Sequence, residues 1–154
     1  MIGADQAMDL DRVDDELRRA PALAPDLFGK VIASTTVRFA LLAKSGKTAR
    51  IDRLIEAGAW TDAAFALIEL EMPAWTLRRV IRGDGEWLCS LSRQPNLPMT
   101  LDDAAEARHE VLPLAILRAF VEARRRSGAA PQTISAVPRV RPTPDQSICC
   151  DNFA

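Results

Sequence analysis

The stretch WTLRRVIRGDGEWLCSLSR, residues 75–93, decides the fold because apolar and polar side chains alternate along most of it. A period of two residues is typical of a β-strand with one buried face. The Gly-Asp-Gly sequence at 83–85 is typical of a tight turn, with Gly85 in a left-handed conformation. We therefore predict an antiparallel hairpin with strands at 75–82 and 86–92 and a three-residue loop.

The loop length fixes the predicted register and the two faces of the hairpin. It gives three pairs: Arg82 with Glu86, Ile81 with Trp87, and Leu77 with Leu91. The apolar face then holds Trp75, Leu77, Ile81, Trp87, Cys89 and Leu91. The polar face holds Thr76, Arg78, Arg82, Glu86, Ser90 and Ser92. Arg79 is the one charged side chain predicted on the apolar face.

Helical periodicity lies on both sides of the hairpin. Apolar residues recur at steps of three and four within 27–43, 49–57 and 62–71, which predicts helices there. A longer helical pattern covers 101–126, with Pro113 predicted to kink or split it. Two aspartates, Asp102 and Asp103, would lie in the first turn of that helix, where its dipole favours negative charge.

These elements predict an α+β fold, mostly α, with helices packed on the two-stranded hairpin and a long Pro-kinked C-terminal helix. Residues 1–22 are acidic and predicted to be largely flexible, and 23–127 form a single α+β domain. Residues 128–154 are Pro-rich and predicted to be a disordered tail. Within that tail, VPRVRPTP at 137–144 favours polyproline geometry, and it is either a docking segment or inert.

Composition indicates a cytoplasmic protein without a membrane partner. The chain has a net charge of −1 and opens on an acidic stretch instead of the cationic and apolar pattern of a signal peptide. The most apolar window, 27–43, is interrupted by Lys30 and Arg38. Three cysteines do not make a disulfide framework, which favours a reducing compartment.

Catalytic chemistry has little support in the sequence. The SGKT at 45–48 resembles the end of a phosphate-binding loop, but Leu41 stands where that motif requires glycine. His109 is the single histidine, and the cysteines lack zinc-ligand spacing, so we predict no metal and no cofactor. The remaining enzyme hypothesis is a carboxylate site built from Glu69, Glu71 and Glu86.

Nucleic-acid binding is an alternative because helices followed by a hairpin resemble a winged helix-turn-helix. The helix that would enter the major groove, 62–71, carries three acids and no base. Electrostatics therefore disfavours this reading. The basic residues that would contact phosphate are Lys44, Lys47, Arg50, Arg78 and Arg82.

The leading hypothesis is a cytoplasmic protein-interaction or regulatory module without catalytic activity. Trp75, Trp87 and Arg79 are its candidate partner-binding residues, since aromatic and arginine side chains anchor interfaces. The expected partner is another protein, and self-association through the exposed edge of the hairpin is one option.

One resemblance covers residues 51–125. The run IDRLIEAGAWTDAAFALIELEMPAWTLRR, continued by DGEWLCSLSRQPNLP and LPLAILRAFVEARR, is similar to a group of small uncharacterised bacterial proteins. That group supplies no activity, ligand or catalytic residue. The resemblance implies only that the hairpin and its flanking helices form one unit.

Overall fold

A computed structural model of the protein describes residues 4–35 and 38–128, and the side chains of residues 38–40 are not described. Five helices precede the sheet in these ranges: α1 (Ala4–Arg19), α2 (Pro25–Thr35), α3 (Arg38–Ala43), α4 (Ala49–Glu56) and α5 (Trp60–Glu71). Three strands follow, β1 (Thr76–Gly83), β2 (Glu86–Ser92) and β3 (Ala105–His109), and then α6 (Leu112–Gly128). The predicted α+β, mostly helical fold with a long C-terminal helix is confirmed.

The sheet has three antiparallel strands in the order β1-β2-β3, so the prediction of a two-stranded sheet was wrong. The third strand lies in the segment predicted as the first half of a long helix. Its side chains alternate, with Ala105 and His109 buried and Glu106 and Arg108 exposed. The helix therefore begins only at Leu112, and Pro113 stands in its first turn, where no backbone donor is needed.

The hairpin turn is one residue tighter than predicted. Gly83 pairs with Glu86, which leaves a two-residue loop of Asp84 and Gly85 with φ of 54° and 82°. Positive φ at both loop residues matches the right-handed twist of the strands, and Asp-Gly is a favoured pair for it. The left-handed conformation predicted for Gly85 is thus confirmed.

This turn shifts the register next to it by one residue. Arg82 pairs with Trp87, and Ile81 pairs with Leu88 on the face that is turned away from α6. The prediction that Ile81 and Trp87 share the apolar face was therefore wrong.

A β-bulge between Leu77 and Arg79 absorbs the extra residue and restores the predicted pair of Leu77 with Leu91. The bulge also places Arg79 opposite Ser90, on the outer face, where its guanidinium lies 3.0 Å from Glu106. The prediction of an isolated charge on the apolar face was therefore wrong.

The loop between β2 and β3 covers part of the outer face of the sheet. Arg78 is ion-paired with Asp102 and donates to the Leu97 carbonyl at 2.7 Å. Ser92 Oγ donates to the same aspartate at 2.8 Å. Asp102 is consequently buried against β1 and β2, and the prediction that it lies in the first turn of a helix was wrong.

The core is centred on α6, which packs on β3, β2, α1 and α5. Its fully buried side chains include Leu114, Leu117, Phe120 and Val121. Helices α4 and α5 also pack on each other, and Gly58, with φ of 68°, lies in the turn between them.

The acidic N-terminal segment contributes to this core. Leu10, Val13 and Leu17 of α1 are buried, and α1 packs on α6 and α2. Asp14 of α1 also forms an ion pair with Arg118 of α6, with an N–O distance of 2.9 Å. The core thus includes residues that the sequence analysis had placed in a flexible segment. Residues 129–154, which make up nearly all of the predicted tail, lie outside the described residues.

The segment 27–43 is helical in both of its described parts, α2 and α3, and residues 36–37 between them lie outside the described residues. Within the described ranges, every helix is too short or too polar to cross a bilayer.

Candidate peptide-docking groove

The edge strand β1 is the least covered part of the sheet. The main helical cover, α6, packs on β3 and β2, while β1 packs chiefly on β2. Two large apolar side chains of β1 are consequently exposed, Leu77 by 44% and Ile81 by 48%. They lie on opposite faces, because Leu77 pairs with core-facing Leu91 and Ile81 pairs with outward-facing Leu88.

A groove of about 620 Å³ lies between α5 and the beginning of β1, on the helix side of the sheet. Its apolar walls come from three elements: Phe65 and Ile68 of α5, Pro73 and Trp75 of the connection, and Leu77 and Leu91 of the sheet. Leu91 and Trp75 are buried and form its floor, whereas Phe65 is half-buried and Leu77 is exposed. The groove is therefore open to solvent above a rigid apolar base.

The sequence of α5 supplies one wall because this helix is apolar on two sides. Ala63, Ala64 and Leu67 are fully buried in the core. Phe65, which follows Ala64 in the sequence, instead lines the groove and is half-buried. A helix with a single core-facing stripe would place a polar residue at this position.

The rim of the groove is weakly acidic. Asp62 and Glu69 stand there with a single base, Arg50, whose guanidinium lies 3.8 Å from the Glu69 carboxylate. Both partners of this pair are about three-quarters exposed, so the pair is solvated and adds little stability. Two acids against one base leave the rim with a net charge of −1.

The end of α6 contacts Trp75, which forms part of the groove floor. The indole Nε1 of Trp75 donates to Ser127 Oγ at 3.0 Å. The guanidinium of Arg93 stacks 5.1 Å from the centre of the same ring. The chain therefore leaves the described structure, at Gly128, one residue from a contact with the groove floor.

The structure does not bring the three predicted partner-binding residues onto one surface. Trp75 lines the groove but is 4% exposed. Trp87 is half-buried beside the core, with the Arg82 guanidinium 5.5 Å from its ring centre. Arg79 lies on the outer face with Glu106. Of the partner-binding candidates only Trp75 lines the groove, and the sequence did not point to Phe65, Ile68 or Leu77 as binding residues.

The predicted nucleic-acid contacts are also separated. Arg78 has a side chain only 13% exposed and committed to Asp102 on the outer face, whereas Arg82 lies on the helix side with Trp87. Lys44 and Lys47 are exposed in the turn between α3 and α4, and Arg50 stands at the groove rim beside Glu69. Arg78 and Arg82 therefore do not share one exposed face.

The residues weighed for catalysis are dispersed as well. Glu69 lines the groove, but Glu71, Glu86 and His109 do not. His109 is buried, and its Nδ1 accepts the Val111 backbone N–H at 2.9 Å, next to the start of α6.

Two further observations on the described residues concern nucleophilic chemistry and metal binding. Burial raises the pKa of the Cys89 thiol to about 12, so it stays protonated and is a poor nucleophile. No cluster of three metal-ligating side chains occurs among residues 4–35 and 38–128.

A second depression, of about 830 Å³, lies between α1 and α2. Charged side chains of both signs make up most of its lining, including Arg12, Glu16 and Lys30, and the last two are ion-paired at 2.7 Å. Only Ala20, Ala24 and Leu27 among its lining residues are apolar, and this mostly charged lining makes it the poorer binding site, although it is the larger of the two.

Comparison with known proteins gives no further guide: no family model, curated protein or solved structure matches the chain.

Proposed function

We propose that this protein is a protein-interaction module without catalytic activity, and that it docks an extended segment of a partner protein in the groove between α5 and β1. The observation that carries the proposal is the groove at the uncovered start of β1, where Leu77 of β1 and Phe65 of α5 line a site with a buried apolar floor. A groove of about 620 Å³ with a few charged groups at its rim has the size and character typical of binding sites.

An extended segment suits this groove better than a folded surface does. The groove runs between a helix and an edge strand, and side chains at alternate positions of an extended chain can enter such a groove. The free edge of β1 also offers backbone groups between Arg79 and Gly83, beyond the bulge. Apolar anchors and backbone hydrogen bonds would then act together.

A second copy of β1 is a poor partner for this edge. Arg78 and Arg79 are already ion-paired with Asp102 and Glu106, and the strand TLRRVIRG carries no acid that could pair with Arg82 of a second copy. The bulge near Leu77 further bends the edge away from regular pairing. These features support a partner with a different sequence.

The alternatives receive less support from the geometry. A nucleic-acid reader requires free basic groups on one surface, but Arg78 is neutralised by Asp102, and α5 carries Asp62, Glu69 and Glu71. An enzyme requires its acid and base groups in one cavity, and Glu69 is the only one of the weighed carboxylates in the groove.

The proposal is tested by selecting binders from a display library of random 12-residue peptides on the intact protein. Two variants locate the site, Leu77→Glu at the groove and Ile81→Glu on the opposite face of the same strand. The two positions have nearly the same exposure, 44% and 48%, so we expect the two changes to affect folding to a similar degree. We expect enriched peptides to lose at least tenfold in affinity for Leu77→Glu and to keep their affinity for Ile81→Glu.

Two outcomes would contradict the proposal. The first is that no peptide is enriched above an unrelated control protein. The second is that binding depends on Ile81 at least as strongly as on Leu77, which would move the interaction to the outer face of the sheet.

A further inference from the structure

We propose that the groove is regulated by the protein's own C-terminal segment, VPRVRPTP at residues 137–144, which docks there in cis and competes with external partners. This inference rests on the proposed function, because it requires the groove between α5 and β1 to bind extended chain. It names the chemistry that the groove prefers: a proline-rich, basic segment.

The C-terminal end of α6 contacts the floor of the groove. Trp75 forms part of the groove floor, and its indole donates to Ser127, the penultimate residue of α6. The described part of α6 therefore ends at Gly128, one residue after a contact with the groove floor. Eight residues, 129–136, separate Gly128 from the docking segment. At about 3.3 Å per residue they reach about 26 Å.

That reach is enough to serve the whole groove. The wall helix α5 has 12 residues, or a length of about 18 Å. When extended, the connecting residues are thus long enough to place the segment beside this helix. A linker of this length keeps the segment at an effective concentration of about 1 mM near the groove.

Residues 137–144 and the lining of the groove match in chemistry. A proline-rich sequence favours extended polyproline geometry, which lowers the entropy lost on docking, and such sequences bind grooves lined by aromatic and apolar side chains. The groove presents Phe65, Trp75 and Pro73 for this role. Val137 and Val140 add apolar side chains to the three prolines of the segment.

Residues 137–144 and the rim of the groove carry opposite net charges. Residues 137–144 carry Arg139 and Arg141 and no acid, a net charge of +2. The rim of the groove carries Asp62 and Glu69 against Arg50, a net charge of −1. Opposite charges at a solvent-exposed rim set orientation and favour the encounter, while the apolar contacts hold the segment.

The consequence is competition between the cis segment and any partner in trans. If the isolated segment binds with a Kd of about 0.1 mM, an effective concentration of about 1 mM weakens trans binding roughly tenfold. A partner must then exceed the cis segment in affinity, or the segment must first be removed or modified.

The test uses the full chain with two matched double variants. Val137→Asp with Val140→Asp disrupts the segment, and Gln132→Asp with Gln146→Asp changes the net charge equally, by −2, on either side of it. A fluorescein-labelled peptide of residues 137–144 is titrated into each protein, and backbone amide NMR shifts are recorded in parallel. We expect the peptide to bind the valine variant roughly tenfold more tightly than wild type or the glutamine variant. We also expect amide shifts at Phe65 and Leu77, and none at Met8 on the exposed face of α1.

Three results would overturn the inference. If the peptide binds wild type and the valine variant equally well, the groove is vacant in cis, and the proposed function still stands. If the peptide binds neither protein and the groove amides do not move, the segment is not a ligand, and the random-peptide selection decides the proposed function separately. If the groove shifts grow with protein concentration, the segment docks on a second copy and not in cis.

Discussion

Replacing Asp102 by asparagine should destabilise the protein far more than the same change at Asp103. Asp102 is 4% exposed, ion-paired with Arg78 (13% exposed) and bonded to Ser92, so the change leaves a mostly buried guanidinium without its counter-charge. Removing one partner of a buried pair costs about 3–5 kcal/mol, and we expect the lower end because Arg78 keeps its bond to the Leu97 carbonyl. Asp103 is 75% exposed and pairs with Arg126 at the surface, where such a pair contributes about 0–1 kcal/mol.

Urea unfolding followed by tryptophan fluorescence measures both variants on the same scale. A loss of about 3 kcal/mol lowers the midpoint by about 1–3 M urea, whereas Asp103→Asn should move it by well under 1 M. The double change Arg78→Met with Asp102→Leu should recover much of the loss, since an apolar pair replaces a buried ionic one at little cost. If both aspartates lay in the first turn of a helix, each change would cost a similar 0.3 to about 1 kcal/mol, and equal midpoints would refute the reasoning.

Three further predictions concern the core, the turn and the buried thiol. Leu10→Ala in α1 should lower the free energy of unfolding in urea by about 2–5 kcal/mol because Leu10 is fully buried. Met8→Ala in the same helix should be nearly neutral because Met8 is 69% exposed. Equally small effects of the two changes would contradict the burial of Leu10. Gly85→Ala should lower the free energy of unfolding by about 1–2 kcal/mol in the same assay because the φ of Gly85 is 82°. Gly83→Ala should cost less because Gly83 lies in a strand with open space around it. Equal losses of stability would contradict the two-residue turn. Cys89 has a pKa raised by burial to about 12, so the unfolded chain ionises first, and stability should fall between about pH 9 and pH 12, by at most about 1.4 kcal/mol per pH unit. Comparison of pH-dependent unfolding with that of Cys89→Ala isolates this contribution, and parallel curves would contradict it.

The hairpin could be predicted because its information is local. Alternating side chains and the Asp84-Gly85 pair are sufficient to locate two strands and the turn between them. The one-residue error in register came from treating Gly83 as part of the loop. The bulge at Leu77–Arg79 then made the far end of the prediction correct, so a local error did not spread along the strand.

The third strand could not be found in this way. The sequence of β3, AEARH, contains residues that favour helices by intrinsic propensity, and five residues are too few to separate a period of two from one of 3.6. Its conformation depends on pairing with β2 and on cover from α6, which are contacts between distant parts of the chain.

Helix α1 did carry a detectable signal. Leu10, Val13 and Leu17 are spaced by three and four residues, as one face of a helix requires, but they stand among six acids. The groove had no such signal. It exists because α6 covers two of the three strands, so Phe65 and Leu77 remain accessible although both read as core residues in the sequence.

The account's central claim is that extended chain binds between α5 and β1, and the most direct test is where a selected peptide contacts the protein. Intermolecular nuclear Overhauser effects between an isotope-labelled protein and an unlabelled bound peptide report this at the level of single side chains. The account predicts contacts from peptide side chains to Phe65, Ile68 and Leu77. Contacts confined to Ile81 and Leu88 on the outer face, or to the charged depression between α1 and α2, would contradict it.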